Sequence, residues 1–171
     1  TANGRIKADA APGDTMDALM TAGAGALTWA GGQFQIIAGS ALTSVGALTA
    51  SDMRSGTLLH IPTQTIDELF NGARGLYVDP DQFYADIDAP PHINPTYAAE
   101  DGEEIIRDFK LPFTHDPIRA TRLLKIAVEQ ARQAATFKFP AKPRKGNSAI
   151  WDVETVTLDI FGYDEKPFQV V

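Results

Sequence analysis

The run from Glu103 to Lys142 constrains this chain most. It reads EEIIRDFKLPFTHDPIRATRLLKIAVEQARQAATFKFPAK, changes hydrophobic period twice and carries its own stop signals. Ile105, Arg107, Phe109 and Leu111 alternate with Ile106, Asp108 and Lys110, the two-residue period of a strand. Pro112 ends that strand because it has no N–H to give a ladder. Asp116 before Pro117 reads as an N-cap followed by a first-turn proline. From Ile118 the period becomes helical: Ala120, Leu123, Leu124, Ala127, Val128, Ala131 and Ala135 share one face. Arg119, Arg122, Lys125, Glu129 and Arg132 share another, expected to meet water or a partner. A helix of about 18 residues is about 27 Å long. Thr136 to Phe139 resume the strand period and Pro140 closes it. The expected unit is an alanine-lined helix lying across a sheet and tying two of its strands together.

The rest of the chain reads as short strands and turns. Arg5 to Ala8 is a candidate strand. Pro12-Gly13 turns the chain, Asp14 or Thr15 caps a short helix with Met16, Leu19 and Met20 inward, and Gly23 or Gly25 ends it. Leu27 to Ala30 and Gln33 to Ala38 flank Gly31-Gly32, a two-residue hairpin signal. Leu27 and Trp29 fall on one face, as do Phe34 and Ile36. Gly39 to Ala50 reads as a loop or edge strand, and Ser51-Asp52-Met53 as one helical turn. Thr57 to Ile61 is a strand stopped by Pro62, and Thr65 to Phe70 is ambiguous between states. Ala73 to Val78 is a strand. Pro80 to Pro95, with four prolines and several aspartates, reads as a long surface loop serving an interface or a function. Lys142 to Ser148 is an exposed connection, Glu154 to Ile160 a strand, Gly162 to Pro167 a turn, and Phe168 to Val171 a last strand.

Together these elements predict an α+β fold. It has mostly antiparallel β-sheets, one short helix at about 14–22 and one long helix at about 117–135 packed on a sheet. The 171 residues form one fragment, or two small subdomains, 1–95 and 96–171. A start without methionine and an end on a strand suggest a piece of something longer. No signal peptide and no membrane-spanning segment is visible in the sequence.

Chemistry is sparse. With no cysteine, this chain offers neither disulfides nor thiolate metal sites. A net charge of −7 argues against a dedicated binder of nucleic acid or anionic membranes. His60, His92 and His115 fall in separate segments without metal-ligand spacing. Asp79, Asp81, Asp86 and Asp88 crowd one loop, as hard oxygen ligands for calcium would, but miss the EF-hand spacing. Glu100, Asp101, Glu103 and Glu104 cluster around Gly102. Carboxylates that cleave glycosides must face each other across a cleft, and neighbours in sequence do not show this. Gly23-Ala24-Gly25 lacks the strand a phosphate loop requires. Lys138, Lys142, Arg144 and Lys145, with two phenylalanines, offer a phosphate-binding patch or a solvated turn. Trp29, Tyr77, Tyr84, Trp151 and Tyr163 are candidates for stacking on sugars, or simply core. Residue by residue, no catalytic residue, cofactor site or metal site is expected.

Four stretches, LTWAGGQFQIIAG, LTASDMRSG, DELFNGARGLYVDP and PTYAAEDGEEIIRDFKLPFTHDPIRATRLLKIAVEQAR, appear in an order that resembles the phage tail-hub family. That family includes the tip attachment proteins of lambda-like siphophages and the hub proteins of gene transfer agents. The resemblance runs from Asn3-Gly4 to the terminal GYDEKPFQVV. It departs between Pro140 and Val153, where a glycine-aspartate turn is usual and this chain has KPRKGNSAIW. The resemblance implies a non-enzymatic virion protein, a homotrimer in its full-length form. It would sit at the tail tip around the channel for DNA and contact tail-tip and tail-tube proteins, after assembly in the host bacterial cytoplasm. DNA would pass nearby without specific binding. An acidic wall suits this, since its repulsion of DNA reaches only about 8 Å at physiological salt. The competing expectation is a carbohydrate-binding or glycan-active module of a tail-associated protein.

Overall fold

A long buried strand, β5 (Gly72–Asp79), lies at the centre of the computed structural model. The structure describes residues 2, 4, 6, 10–30, 32–39, 43–62, 69–133, 135–143 and 148–171. In chain order the elements are α1 (Pro12–Thr21), β1 (Ala26–Ala30), β2 (Gln33–Ile37), β3 (Gly46–Thr49), β4 (Leu59–Ile61), β5, β6 (Ala85–Asp88), β7 (His92–Ile93), α2 (Pro95–Asp101), β8 (Ile106–Leu111), α3 (Pro117–Arg132), β9 (Thr136–Lys138), β10 (Val153–Leu158) and β11 (Tyr163–Gln169). The fold is α+β and its strand pairs are mostly antiparallel; β5 with β8 and β3 with β10 are the parallel ones among the described residues.

β8 runs parallel to β5, from Gly72 opposite Ile106 to Tyr77 opposite Leu111. β6 pairs antiparallel with the far end of β5, and β7 with its start. Gly72, Ala73, Leu76 and Tyr77 of β5 pair with β6 or β7 and also with β8, so the two short strands share the opposite edge. The helix α3 covers this sheet. Ala120, Leu123, Leu124 and Val128 are buried, against Phe70, Ala73, Tyr77 and Leu111. Gly75 lets the helix come close: a Cβ there would lie 3.0 Å from Leu124 Cδ2. This core takes residues from both sides of residue 95.

A second core forms around Leu48, Val156 and Leu158, with Phe137, Phe139, Phe161, Tyr163 and Phe168 packed against it. Its sheet has the order β11-β10-β3, and β4 pairs with β9 beside it. Strand β11 contains Pro167 opposite Thr155. It lies at the sheet edge, where a missing N–H costs no ladder bond.

Asp116 caps α3 as expected, its carboxylate accepting from the Ile118 N–H at 2.9 Å, with Pro117 in the first turn. Asp116→Ala is expected to cost about 1 kcal/mol of stability, read from urea unfolding, with Asp116→Asn recovering most of it.

Several expectations are corrected. α3 ends at Arg132, so Ala135 lies beyond it. It joins strands of two different sheets, because β9 pairs with β4 and not with β8's sheet. α1 starts at Pro12 with Ala11 as its cap residue, and its methionines are only half-buried. A third helix, α2, was not anticipated; Asn94 caps it and Gly102 ends it in the left-handed conformation. Pro80–Pro95 is not a free loop, since β6 and β7 fold back onto β5. Residues 163–167 extend β11, and the turn before it is at Asp159–Phe161. The expected strand at Arg5–Ala8 lies mainly outside the described residues, as do Gly31, most of Thr65–Phe70 and the centre of Lys142–Ser148.

Candidate interaction surface

The buried polar groups of the first core make a scaffold. Asn71 is fully buried just before β5. Its amide nitrogen donates to Asp101 Oδ2 at 2.8 Å and to the Glu103 carbonyl at 2.7 Å, and its amide oxygen accepts from the Ile105 N–H at 2.9 Å. Asp101, at the end of α2, also pairs with Arg132, at the end of α3. The Arg132 guanidinium lies over the Tyr97 ring, 4.6 Å from its centroid. The Tyr97 hydroxyl donates to Glu129 at 2.8 Å, which raises its pKa. One polar cluster therefore joins α2, the turn after it, α3 and the start of β5.

Arg132, followed by Asn71, holds the Asp101 carboxyl below its ordinary value of 3.8. Below that value the unfolded chain binds the proton more readily, so stability from Asp101 is present above pH 3.8 and lost as pH falls through the lowered value. The Asp101→Asn variant is expected to show a flatter fall of stability below about pH 4 than the parent, measured by urea unfolding at stepped pH.

The second core holds an aromatic box. His60 Nε2 lies 2.7 Å from the Tyr163 hydroxyl, and the imidazole packs 4.4 Å from the Phe161 ring and 5.4 Å from that of Phe137. Lys166 sits over Tyr163.

Against these interiors stand uncovered apolar groups. The β1–β2 hairpin pairs Trp29 with Phe34 and Leu27 with Ile36, as the alternation requires. Yet Trp29, Phe34 and Ile36 are mostly exposed. Trp29 and Phe34 meet edge to face at 4.6 Å. The turn between β5 and β6 carries Phe83 and Tyr84, both exposed and both with left-handed backbone. A shallow groove between β7 and the first half of α3 is lined by His92, Ile118, Thr121, Arg122 and Lys125. These side chains lie in three separate places, at the β1–β2 hairpin, the β5–β6 turn and the groove beside α3.

The residues singled out from sequence do not converge. The three histidines go to the aromatic box, the groove and the turn before α3, and no group of metal-ligating side chains assembles among the described residues. Asp79 accepts from the Asp81 N–H, while Asp86 and Asp88 stand on β6. Asp101 is a structural carboxylate bound to Arg132 and Asn71, not half of a facing pair. Lys142 reaches the Ser51 carbonyl; Arg144 and Lys145 lie outside the described residues. Of the five aromatics, Tyr77 is core and Tyr163 belongs to the box, whereas Trp29 and Tyr84 are exposed in separate places. Glu129 and Arg132, expected on a solvent face, are partly buried in the polar cluster. Phe83, Ile118 and Asn71 carry no chemical motif in the sequence. The available signals were an aromatic pair inside an aspartate-rich turn and an isoleucine on the charged side of a helix.

A scan against protein-family models and a search of curated proteins each return no match. Solved structures do match. A chain of the virion of a native gene transfer agent particle superposes with a TM-score of 0.72 at 19% identity, over 96% of this chain and 36% of that one. The 43 kDa tail protein of prophage MuSo2 from Shewanella oneidensis superposes with a TM-score of 0.56 at 13% identity, over 96% of this chain and 48% of that one. This chain thus has a fold found in both and spans about a third to a half of their length.

Proposed function

We propose that this chain is part of a structural protein of a phage or gene-transfer-agent tail, of the hub or tip kind. It acts through protein–protein assembly around the tail channel and supports host attachment and DNA delivery. The observation that carries this is the fold shared along 96% of the chain with a component of a gene transfer agent virion. Fold alone does not assign function. The four stretches resembling tail hubs, and the apolar side chains left uncovered at Trp29, Phe34, Phe83 and Ile118, support the same reading.

In this reading the full-length protein is a homotrimer in the virion, assembled in the host bacterial cytoplasm, with tail-tip and tail-tube proteins as neighbours. The chain is not an enzyme and takes no cofactor. Its work is to hold surfaces in fixed geometry, which the polar cluster and the α3–β5 contact do. DNA passes an acidic wall without being gripped.

The test is size-exclusion chromatography with light scattering on the full-length protein, alone and with tail-tube partners. A trimer that binds those partners is the expected result. A strict monomer with no binding to them would overturn the reading.

A further inference from the structure

Two uncovered features of this surface each pair an exposed apolar group with charges, of opposite sign in the two. The first is the turn from β5 to β6. Phe83 at its tip is 97% exposed, and Asp79, Asp81, Asp86 and Asp88 surround it in sequence. Phe83 and Tyr84 have φ of 56° and 60°, a conformation bulky side chains rarely adopt. Hydrogen bonds from the Asp81 N–H to the Asp79 carboxylate and from the Tyr84 N–H to the Asp79 carbonyl, both 2.9 Å, hold the turn in place. The fold thus fixes an exposed aromatic ring on a tight turn, with aspartates before and after it in sequence.

The second is the groove beside α3. Ile118 is 72% exposed there, next to Arg122, Lys125 and His92. Among the described residues neither Arg122 nor Lys125 has a carboxylate partner. The nearest acids in sequence are engaged elsewhere: Asp116 caps the helix, and Glu129 accepts from the Tyr97 hydroxyl. A groove with an apolar floor and unpaired cations, on a chain of net charge −7, calls for an apolar group flanked by acids.

We propose that this groove receives the Phe83 turn of a second copy of this chain, with the ring on Ile118 and with Asp81 and Asp86 facing Arg122 and Lys125. The two patches differ, so the contact is head-to-tail, and repeating it closes a ring or extends a filament. The proposal rests on the assembly reading above and gives that assembly a contact.

These 171 residues hold no cysteine, and any cysteine elsewhere in the full-length protein is first replaced by serine. Phe83→Cys and Ile118→Cys are placed in separate samples of the full-length protein, mixed and oxidised. The mixture is expected to yield a disulfide-linked dimer at least about tenfold above either variant alone, because each sample alone has only one half of a head-to-tail contact. Adding Arg122→Glu and Lys125→Glu to the Ile118→Cys sample should abolish the product. Adding Asp81→Lys and Asp86→Lys to the Phe83→Cys sample should then restore it. A mixture without product, or product insensitive to charge reversal, overturns the contact. Loss without rescue also overturns it and points to an acidic partner other than a second copy. A full-length trimer giving no cross-link would leave the assembly reading standing and remove this contact alone.

Discussion

Asn71→Ala is expected to lower the melting temperature by roughly 6–12 °C. The side chain is fully buried and makes three hydrogen bonds at once, to Asp101, to the Glu103 carbonyl and from the Ile105 N–H. Alanine leaves the Glu103 carbonyl and the Ile105 N–H without those bonds in a part-buried setting. Each orphaned group costs about 1–3 kcal/mol, so a total of about 3 kcal/mol is reasonable. In a chain of this size each kcal/mol moves the midpoint by about 2–4 °C. Asn71→Asp should be no better, since a carboxylate cannot donate to Asp101 or to the carbonyl. Thermal unfolding followed by circular dichroism checks both; a shift below about 2 °C for either would mean the polar cluster does not hold α2 and α3 to the sheet.

Leu124→Ala is expected to cost about 2–5 kcal/mol. Leu124 is 1% exposed at the middle of α3 and packs over β5. Its distinguishing signature is the coupling to Gly75. A Cβ at Gly75 would stand 3.0 Å from Leu124 Cδ2 and 3.3 Å from the Phe109 carbonyl oxygen. Gly75→Ala should therefore destabilise the parent, but less in the Leu124→Ala background, where the truncated side chain makes room. A double-mutant cycle by urea unfolding should return a coupling of about 1 kcal/mol. Strict additivity would mean that the helix and strand are not in the close contact described.

These two sites also mark what the sequence made visible. The helical face of α3 and its Asp-Pro start are local signals, and the structure follows them to within three residues at the C-terminal end. The β1–β2 hairpin is equally local. Asn94-Pro95 carries the same kind of start signal for α2, but four prolines between Pro80 and Pro95 hid it in what read as a loop. β6 was hidden differently. Its sequence, ADID, has low strand propensity, and only the long buried edge of β5 draws it into pairing.

Side chains that act at long range were not visible at all. Arg132 lies on the charged face of α3 by period, yet it turns back to Asp101, 31 residues earlier. Nothing in the local pattern names such a partner, because periodicity describes one element at a time. Likewise the spacing of α3 assigns Ile118 to the solvent side without revealing that β7 brings His92 alongside to make a groove. In sequence the acidic turn offers its aspartates as possible cation ligands. The exposed Phe83, which sterics and solvation leave most in need of cover, is the feature the fold brought out.

The most direct test of the account is a reconstruction of an assembled tail particle, solved far enough to trace helices. The account expects the α3-on-β5 block in several symmetry-related copies around the tail axis, with the Phe83 turn buried against protein. Particles complete without this block, or a block that sits in them as a lone copy with Phe83 and Ile118 both facing solvent, would contradict it.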